Sequence, residues 1–308
     1  MTSHTAKLTP EQAEALRGIL AKRDFESAEV PHAVFSYKRP KLAITWYKSG
    51  KLLIQGKGTQ EFVEFTLEPE VLGQAAFADA LDAQPEQLEP RLGVDESGKG
   101  DFFGPLVVAG VYVNEPVARA LDGLGVKDSK AIASDKKIAA LAKGIRDTPG
   151  CVYSVVPIGN ASYNRLHQKM RNVNKILAWG HARVIENLLG QRDRMNPEPL
   201  RAISDQFARS KATIQSALME EGRQLKLVQM HKAESDIAVA AASILARDLF
   251  VQRLSALGRE FDLELPKGAS SKVDAAGAAF LKKHGMDKLG QAAKLHFRTT
   301  QKIQAGLL

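Results

Sequence analysis

The chain has 308 residues, of which 44% are hydrophobic and 25% charged, the balance of a globular protein of about two domains. Lys and Arg number 43 against 35 Asp and Glu, and the resulting net charge of +8 suits a polyanionic partner such as nucleic acid. The lone cysteine, Cys151, excludes an internal disulfide and a CxxC zinc pair, and no apolar run reaches the roughly 18 residues of a membrane helix, so a cytoplasmic chain with no membrane contact is expected.

In chain order, Thr9 is placed to cap a first helix, Pro10 suits its first turn, and residues 11–20 are good helix formers. Strand-like segments follow at 33–37, 41–47 and 51–55, with Ser49-Gly50 as the turn of a hairpin. Residues 61–67 alternate apolar and polar side chains and predict one more strand. Residues 82–91 carry two prolines and three acids and predict a linker. Beyond it, strands are expected at 92–97, 105–113, 152–158, 200–206 and 225–229, with helices at 134–146, 160–190, 210–221 and 237–258. That order implies a mixed α/β sheet flanked by helices. The partition is then an N-terminal α+β domain at 1–81, a linker at 82–91 and an α/β domain at 92–308.

Charge is segregated in the first domain. Lys38, Arg39, Lys41, Lys48, Lys51 and Lys57 fall between residues 38 and 57 with no acid among them, interleaved with Trp46 and Tyr47 and preceded by Tyr37, whereas residues 61–90 hold eight acids and no Lys or Arg. A basic hairpin with aromatic rings suits phosphate contacts and stacking, with Lys48 and Lys51 flanking the turn. The alternative is a solvated sheet face above core aromatics.

The most informative segment is Gly93-Val-Asp-Glu-Ser-Gly-Lys-Gly-Asp-Phe-Phe-Gly. Its adjacent acids, Asp95 and Glu96, repel one another unless cations neutralise them, and hard carboxylate oxygens suit Mg²⁺. Consecutive strand residues point to opposite faces, so the two acids share a site only where the strand is irregular or ends; Gly98 and Gly100 lie close by. The spacing Gly93 to Lys99 also fits a phosphate-binding loop, but Gly100 stands where that motif needs Ser or Thr, and the acids would repel phosphate. Asp205 closes an apolar strand, as site acids commonly do in α/β sheets. Glu234 precedes a helix rich in small residues, and Asp236 is the natural cap of that helix.

Six separated blocks occur in order: DESGKGDFFGPLVV at 95–108, VKDSK at 126–130, YNRLHQKMRNVNKILAWGHARVIENLL at 163–189, SDQF at 204–207, KAES at 232–235 and LHFRTT at 295–300. Together they resemble ribonuclease HIII, and the Gly-Lys-Gly after Asp-Glu is of that type. The resemblance spans essentially the whole chain. It implies a ribonuclease H-like fold from about residue 92 and a small TATA-binding-protein-like substrate domain before it. It implies an endonuclease acting on the RNA strand of RNA–DNA hybrids with two Mg²⁺ ions, or Mn²⁺ in their place, leaving 3′-hydroxyl and 5′-phosphate ends.

Under the same resemblance Asp95, Glu96, Asp205 and Glu234 match the four catalytic, metal-holding acids, with Asp236 the neighbouring alternative to Glu234. Gly98, Lys99 and Gly100 match a loop that contacts 2′-hydroxyls. Ser129, Lys130, Asn172 and Asn174 are candidates for phosphate or sugar contacts, and the basic tail at 293–299 is expected to lie along the substrate. Trp179 and His181 are expected to pack within a helix. A monomer is implied. A nucleic-acid-binding protein without catalysis is the alternative, and it leaves the four acids unexplained.

Overall fold

A computed structural model describes residues 3–72, 88–127, 129, 132–205, 217–218, 221–230 and 233–306. The chain forms two units, Met1–Gln84 and Pro85–Leu308.

In the first unit an antiparallel sheet runs in the order β1-β5-β4-β3-β2, built from β1 (Ser3–Lys7), β2 (Glu26–Ser27), β3 (Ala33–Arg39), β4 (Leu42–Tyr47) and β5 (Lys51–Gln55). Helix α1 (Pro10–Ala21) starts where expected. Thr9 caps it, and Gln12 returns a bond to the Thr9 amide, closing a capping box. Leu16 and Leu20 of α1 share a core with Leu42, Ile44, Leu52 and Ile54, the alternate residues of β4 and β5. On the opposite face Ser36 and Thr45 are paired through their hydroxyls at 2.9 Å.

The predicted strand at 61–67 is helical instead: α2 (Thr59–Phe62) runs into a π-helix at Val63–Leu72. The buried positions Phe62, Val63, Thr66, Leu67 and Val71 recur every four to five residues, which a wide helix matches and a strand does not. The alternation over a few residues hides this longer period.

The second unit carries a mixed five-stranded sheet in the order β10-β9-β6-β7-β8. Its strands are β6 (Arg91–Ser97), β7 (Leu106–Val113), β8 (Val152–Ile158), β9 (Arg201–Asp205) and β10 (Lys226–Met230). β6, β9 and β10 are parallel, while β7 and β8 complete an antiparallel meander. Strand β6 begins at Arg91, one residue earlier than expected. Every residue of β7 is buried, the mark of a strand covered on both faces.

Helices cover both faces of this sheet. On one side lies α7 (Ile237–Glu260); on the other lies α6 (Val173–Leu189). Gly93 and the small residues at the start of α7 let strand and helix meet main chain to main chain, since a Cβ on Gly93 would stand 2.2 Å from the carbonyl carbon of Ala238. The helices expected within 160–190 are two, α5 (Asn160–Met170) and α6, separated at Arg171, whose φ of 48° breaks the run. Helices α3 (Glu115–Gly123), α4 (Asp135–Asp147), α8 (Ser271–Ala292, interrupted at Gly285) and α9 (Arg298–Ala305) complete the unit. Residues 82–87 of the expected linker and most of the expected helix at 210–221 lie outside the described residues. Among the described residues no helix is long and apolar enough to cross a membrane.

Candidate active site

Strands β6 and β9 run parallel in register, with Val94 opposite Ser204, so Asp95 and Asp205 follow side by side at the strands' C-terminal ends. Neighbouring strands lie about 4.8 Å apart. Both acids face α7. Gly93, two residues before Asp95, abuts Ala238 and Val239, and Ile203, two before Asp205, packs with Ala233 and Val239. Glu234 belongs to a single 3-10 turn, Ala233–Ser235, leading into α7, and Ala233 beneath it ties that turn to the same edge of the sheet. Asp95 is buried, whereas Asp205 and Glu234 are half-buried.

Asp236 serves the fold. Its Oδ2 accepts a 2.7 Å bond from Nε of the wholly buried Arg91, and its Oδ1 caps α7 by accepting from the amide of Ala238 at 2.8 Å. Of the two neighbouring acids, Glu234 is the one not engaged in a cap.

Glu96 goes the other way. β6 pairs with β7 without a register break through Ser97, so the strand stays regular and Asp95 and Glu96 leave opposite faces. Glu96 meets α6, where Nε2 of the fully buried His181 lies 3.0 Å from its Oε2, and Lys99 Nζ lies 3.6 Å from Oε1. Burial pushes the Glu96 carboxyl upward, but the hydrogen bond and charge of His181, joined by Lys99, outweigh it and hold the group below the ordinary carboxylate value. With Glu96 ionised, the imidazole N–H is the donor.

The expectation that His181 merely packs is incomplete. Its one sequence signal is a polar ring inside the otherwise apolar stripe of Ile176, Leu177, Ala178, Ala182, Val184 and Ile185. The expected convergence of four acids therefore takes a different form. Asp95, Asp205 and Glu234 line one face, and Glu96 is clamped on the other. Among the described residues no three His, Cys, Asp or Glu side chains are gathered tightly enough to hold an ion. The donors themselves, carboxylate oxygens at the C-terminal edge of a sheet, fit a hard divalent cation in kind.

The turn after β6 separates two uses of glycine. Gly98 has φ +89°, and a Cβ there would stand 2.2 Å from the carbonyl oxygen of Pro105, so the backbone demands glycine. A Cβ on Gly100 would meet nothing within 4 Å, so the fold does not demand it, and the outer side of the turn stays open to a ligand. Lys99 between them is exposed at its side chain. The phosphate-loop alternative fails structurally: Gly93 lies inside a strand, and the turn leads to β7 rather than to a helix.

Other candidates divide. Ser129 is buried, its hydroxyl 2.6 Å from that of Ser243, and its carbonyl accepts from Arg247. Lys130 lies outside the described residues. Asn172 caps α6, accepting from the Asn174 amide at 2.8 Å, so its carbonyl oxygen is already engaged, and the Asn174 side chain is half-buried. Trp179 packs against the cluster around Leu106, Ile158 and Tyr163, as expected. The tail at 293–299 divides: Ala293 and Lys294 are fully buried and pass beneath the 98–104 loop, whereas His296 and Arg298 are exposed. In the first unit Lys48 and Lys51 are exposed, and with Tyr47 and His32 they line a hollow of about 520 Å³.

A family model described as ribonuclease HII matches residues 92–300, and a domain of unknown function, DUF3378, matches residues 4–73. The chain is 44% identical over 303 residues to a ribonuclease HIII of Chlamydia pneumoniae, covering 97% of each. The crystal structure of Bst-RNase HIII in complex with Mn²⁺ aligns at TM-score 0.67 and 34% identity, over 99% of this chain and 98% of that one. Aquifex aeolicus RNase H3 aligns at TM-score 0.55 and 26% identity, over 95% of this chain and 99% of that one. By the match across its catalytic-fold residues and by this near full-length identity, the chain belongs to the ribonuclease HIII family and is an endoribonuclease.

Proposed function

We propose that the chain hydrolyses the RNA strand of RNA–DNA hybrids at the edge where β6 and β9 end, leaving 3′-hydroxyl and 5′-phosphate termini. The observation that carries this reading is the placement of Asp95 and Asp205 on neighbouring parallel strands, with Glu234 on the same face and a glycine turn open beside them. A pair of Mg²⁺ ions, or Mn²⁺ as in the Bst relative, supplies when bound the Lewis-acid charge that phosphodiester hydrolysis needs. Asp95, Asp205 and Glu234 hold that charge at the sheet edge. Glu96, kept ionised and oriented by His181 and Lys99, completes the acidic set from across the strand.

The main chain of 98–100 comes close enough to a sugar to bond its 2′-hydroxyl, the group that separates ribose from deoxyribose. Lys99, Lys130 and Asn174 flank the backbone of the substrate, whereas Ser129, engaged by Ser243 and Arg247, does not join them. Residues 1–81, with exposed Lys48 and Lys51, form a substrate-binding domain that the 82–91 segment links to the catalytic domain at 92–308. A cytoplasmic setting agrees with the single, buried Cys151.

The test is cleavage of three labelled duplexes: RNA–DNA, RNA–RNA, and DNA with one embedded ribonucleotide. The hybrid should be cut only with Mg²⁺ or Mn²⁺ present, and Asp95→Asn should fold normally yet lose about a thousand-fold in rate. Near-normal cleavage by that variant removes Asp95 from the chemistry, and metal-independent cutting removes the whole reading.

A further inference from the structure

The 98–104 loop has two parts. Its outer part, Lys99 and Gly100, is exposed; Gly98 before it is buried against Pro105 and Phe250, and the root, 101–104, is buried through Phe102 and Phe103. The root is bonded to the C-terminal segment. The amide of Lys294 donates to the carbonyl of Phe102 at 2.8 Å, and the amide of Gly104 donates to that of Ala292 at 2.9 Å. From the other side the Phe102 amide donates to Gly268 O at 2.9 Å, and Asp101 Oδ1 accepts from the Gly268 amide at 2.6 Å.

Two carbonyls, those of Asp101 and Gly104, turn inward to a cation that no part of the proposed chemistry uses. Lys294 is 0% exposed, and its Nζ donates to Asp101 O at 2.8 Å and to Gly104 O at 2.6 Å. Asn160 on α5 adds a second donor to Gly104 O at 2.7 Å. Asn164, one turn on, holds the segment that carries Lys294, donating to Gly290 O and Ala293 O at 2.9 Å each. A side chain of mere bulk would fill the same space, take the side-chain donor from Asp101 O and leave Gly104 O to Asn160 alone.

We propose that Lys294 is a positioning residue for ribose recognition: its buried amine pins the root of the 98–104 loop and so fixes the height of the main chain that meets the 2′-hydroxyl. The inference rests on the assignment of 98–100 to sugar contact. Burial pushes the Lys294 ammonium down to about 7, with only Asp101 opposing. Two acceptors face it, and a neutral amine still carries two N–H groups, so pinning survives loss of the proton.

The experiment replaces Lys294 by Met, which keeps the bulk and removes the donors, in an Asp95→Asn background that binds without cutting. Affinity is measured for a short RNA–DNA hybrid and for the DNA duplex of the same sequence, and amide exchange is followed along the chain. Lys294→Met should lower the preference for hybrid over DNA about ten-fold, through the hybrid alone. Exchange should quicken within 98–104 and stay unchanged in β6 and α7. In the cleaving enzyme KM should rise more than kcat falls. Unchanged preference and exchange overturn the proposal, as does exchange that quickens evenly through the whole unit. Should Lys294→Met fail to fold, Lys294→Gln, which retains a donor, is judged by the same two readouts. If the Asp95→Asn parent itself binds hybrid and DNA alike, the assignment of sugar contact falls, while the exchange pattern at 98–104 still decides whether Lys294 pins the loop.

Discussion

The two faces of strand β6 handle acidic side chains in opposite ways. Towards α7 the strand shows Gly93 and then Asp95, and the helix approaches so closely that the 3-10 turn leading into it brings Glu234 to the same edge of the sheet. Towards α6 it shows Leu92, Val94 and then Glu96, and a broad apolar layer with Val184, Ile185 and Leu188 sets the helix further off, leaving room for one buried imidazole. On the first face Asp95, Asp205 and Glu234 lie along one edge of the sheet and offer oxygen donors of the kind a hard cation takes. On the second a carboxylate is already compensated by protein groups. Adjacent residues in sequence thus meet different surroundings, Asp95 the edge beside α7 and Glu96 the clamp of His181 and Lys99.

The largest expected contrast across these faces is in activity. Asp95→Asn should lose about a thousand-fold, as above, while circular dichroism shows the parent's fold, so that the loss belongs to the chemistry.

Next comes the pair at the head of α7. Asp236→Ala removes the partner of buried Arg91 and a helix cap, and should cost about 3–5 kcal/mol by denaturant unfolding. Glu234→Gln should leave stability within about 0.5 kcal/mol, as at a half-buried position outside the fold's bonds, yet abolish most cleavage. The reverse pattern would exchange the two roles.

A smaller effect is expected on the α6 face. His181→Ala should reduce cleavage roughly 10–100-fold by letting Glu96 turn, with Glu96→Gln affected to a similar degree and the double variant no worse than either single. Additive losses would show that His181 acts apart from Glu96.

A further prediction concerns pH. Lys294 titrates near 10.5 when unfolded and about 7 when folded, so between those values the unfolded chain binds more protons. Stability should therefore be highest above about 10.5 with respect to this group, and be lost progressively as pH falls towards 7. Unfolding followed across that window should show a shallower slope in Lys294→Met; an identical slope would mean that the amine is not shifted.

Much of this architecture is legible in the order of the amino acids. The Thr9 capping box, the hairpin of β4 and β5, the strands around Asp95 and Asp205, and the glycine turn all follow from local chemistry that acts within a few residues. Long-range partners are not legible in the same way. Nothing in the neighbourhood of His181 says that it meets a residue 85 positions away, and nothing in the basic tail says that Lys294 is buried under carbonyls 190 and 193 positions distant. The cap role of Asp236 can be read locally; its buried partner Arg91 cannot. The stretch at 61–67 misleads because Val63, Phe65 and Leu67 alternate with Glu64 and Thr66 in sequence, while the buried pairs 62–63 and 66–67 follow a helical spacing.

The seam between Gly93 and Ala238 has a further consequence. Main chain has no rotamers, so a contact made of two backbones admits a single spacing. Asp95 on one side of that seam and Glu234 on the other inherit it, and their separation is as stiff as the junction itself. Adjustment to a visiting cation is left to the last bonds of the side chains, and the scaffold beneath acts as a fixed gauge.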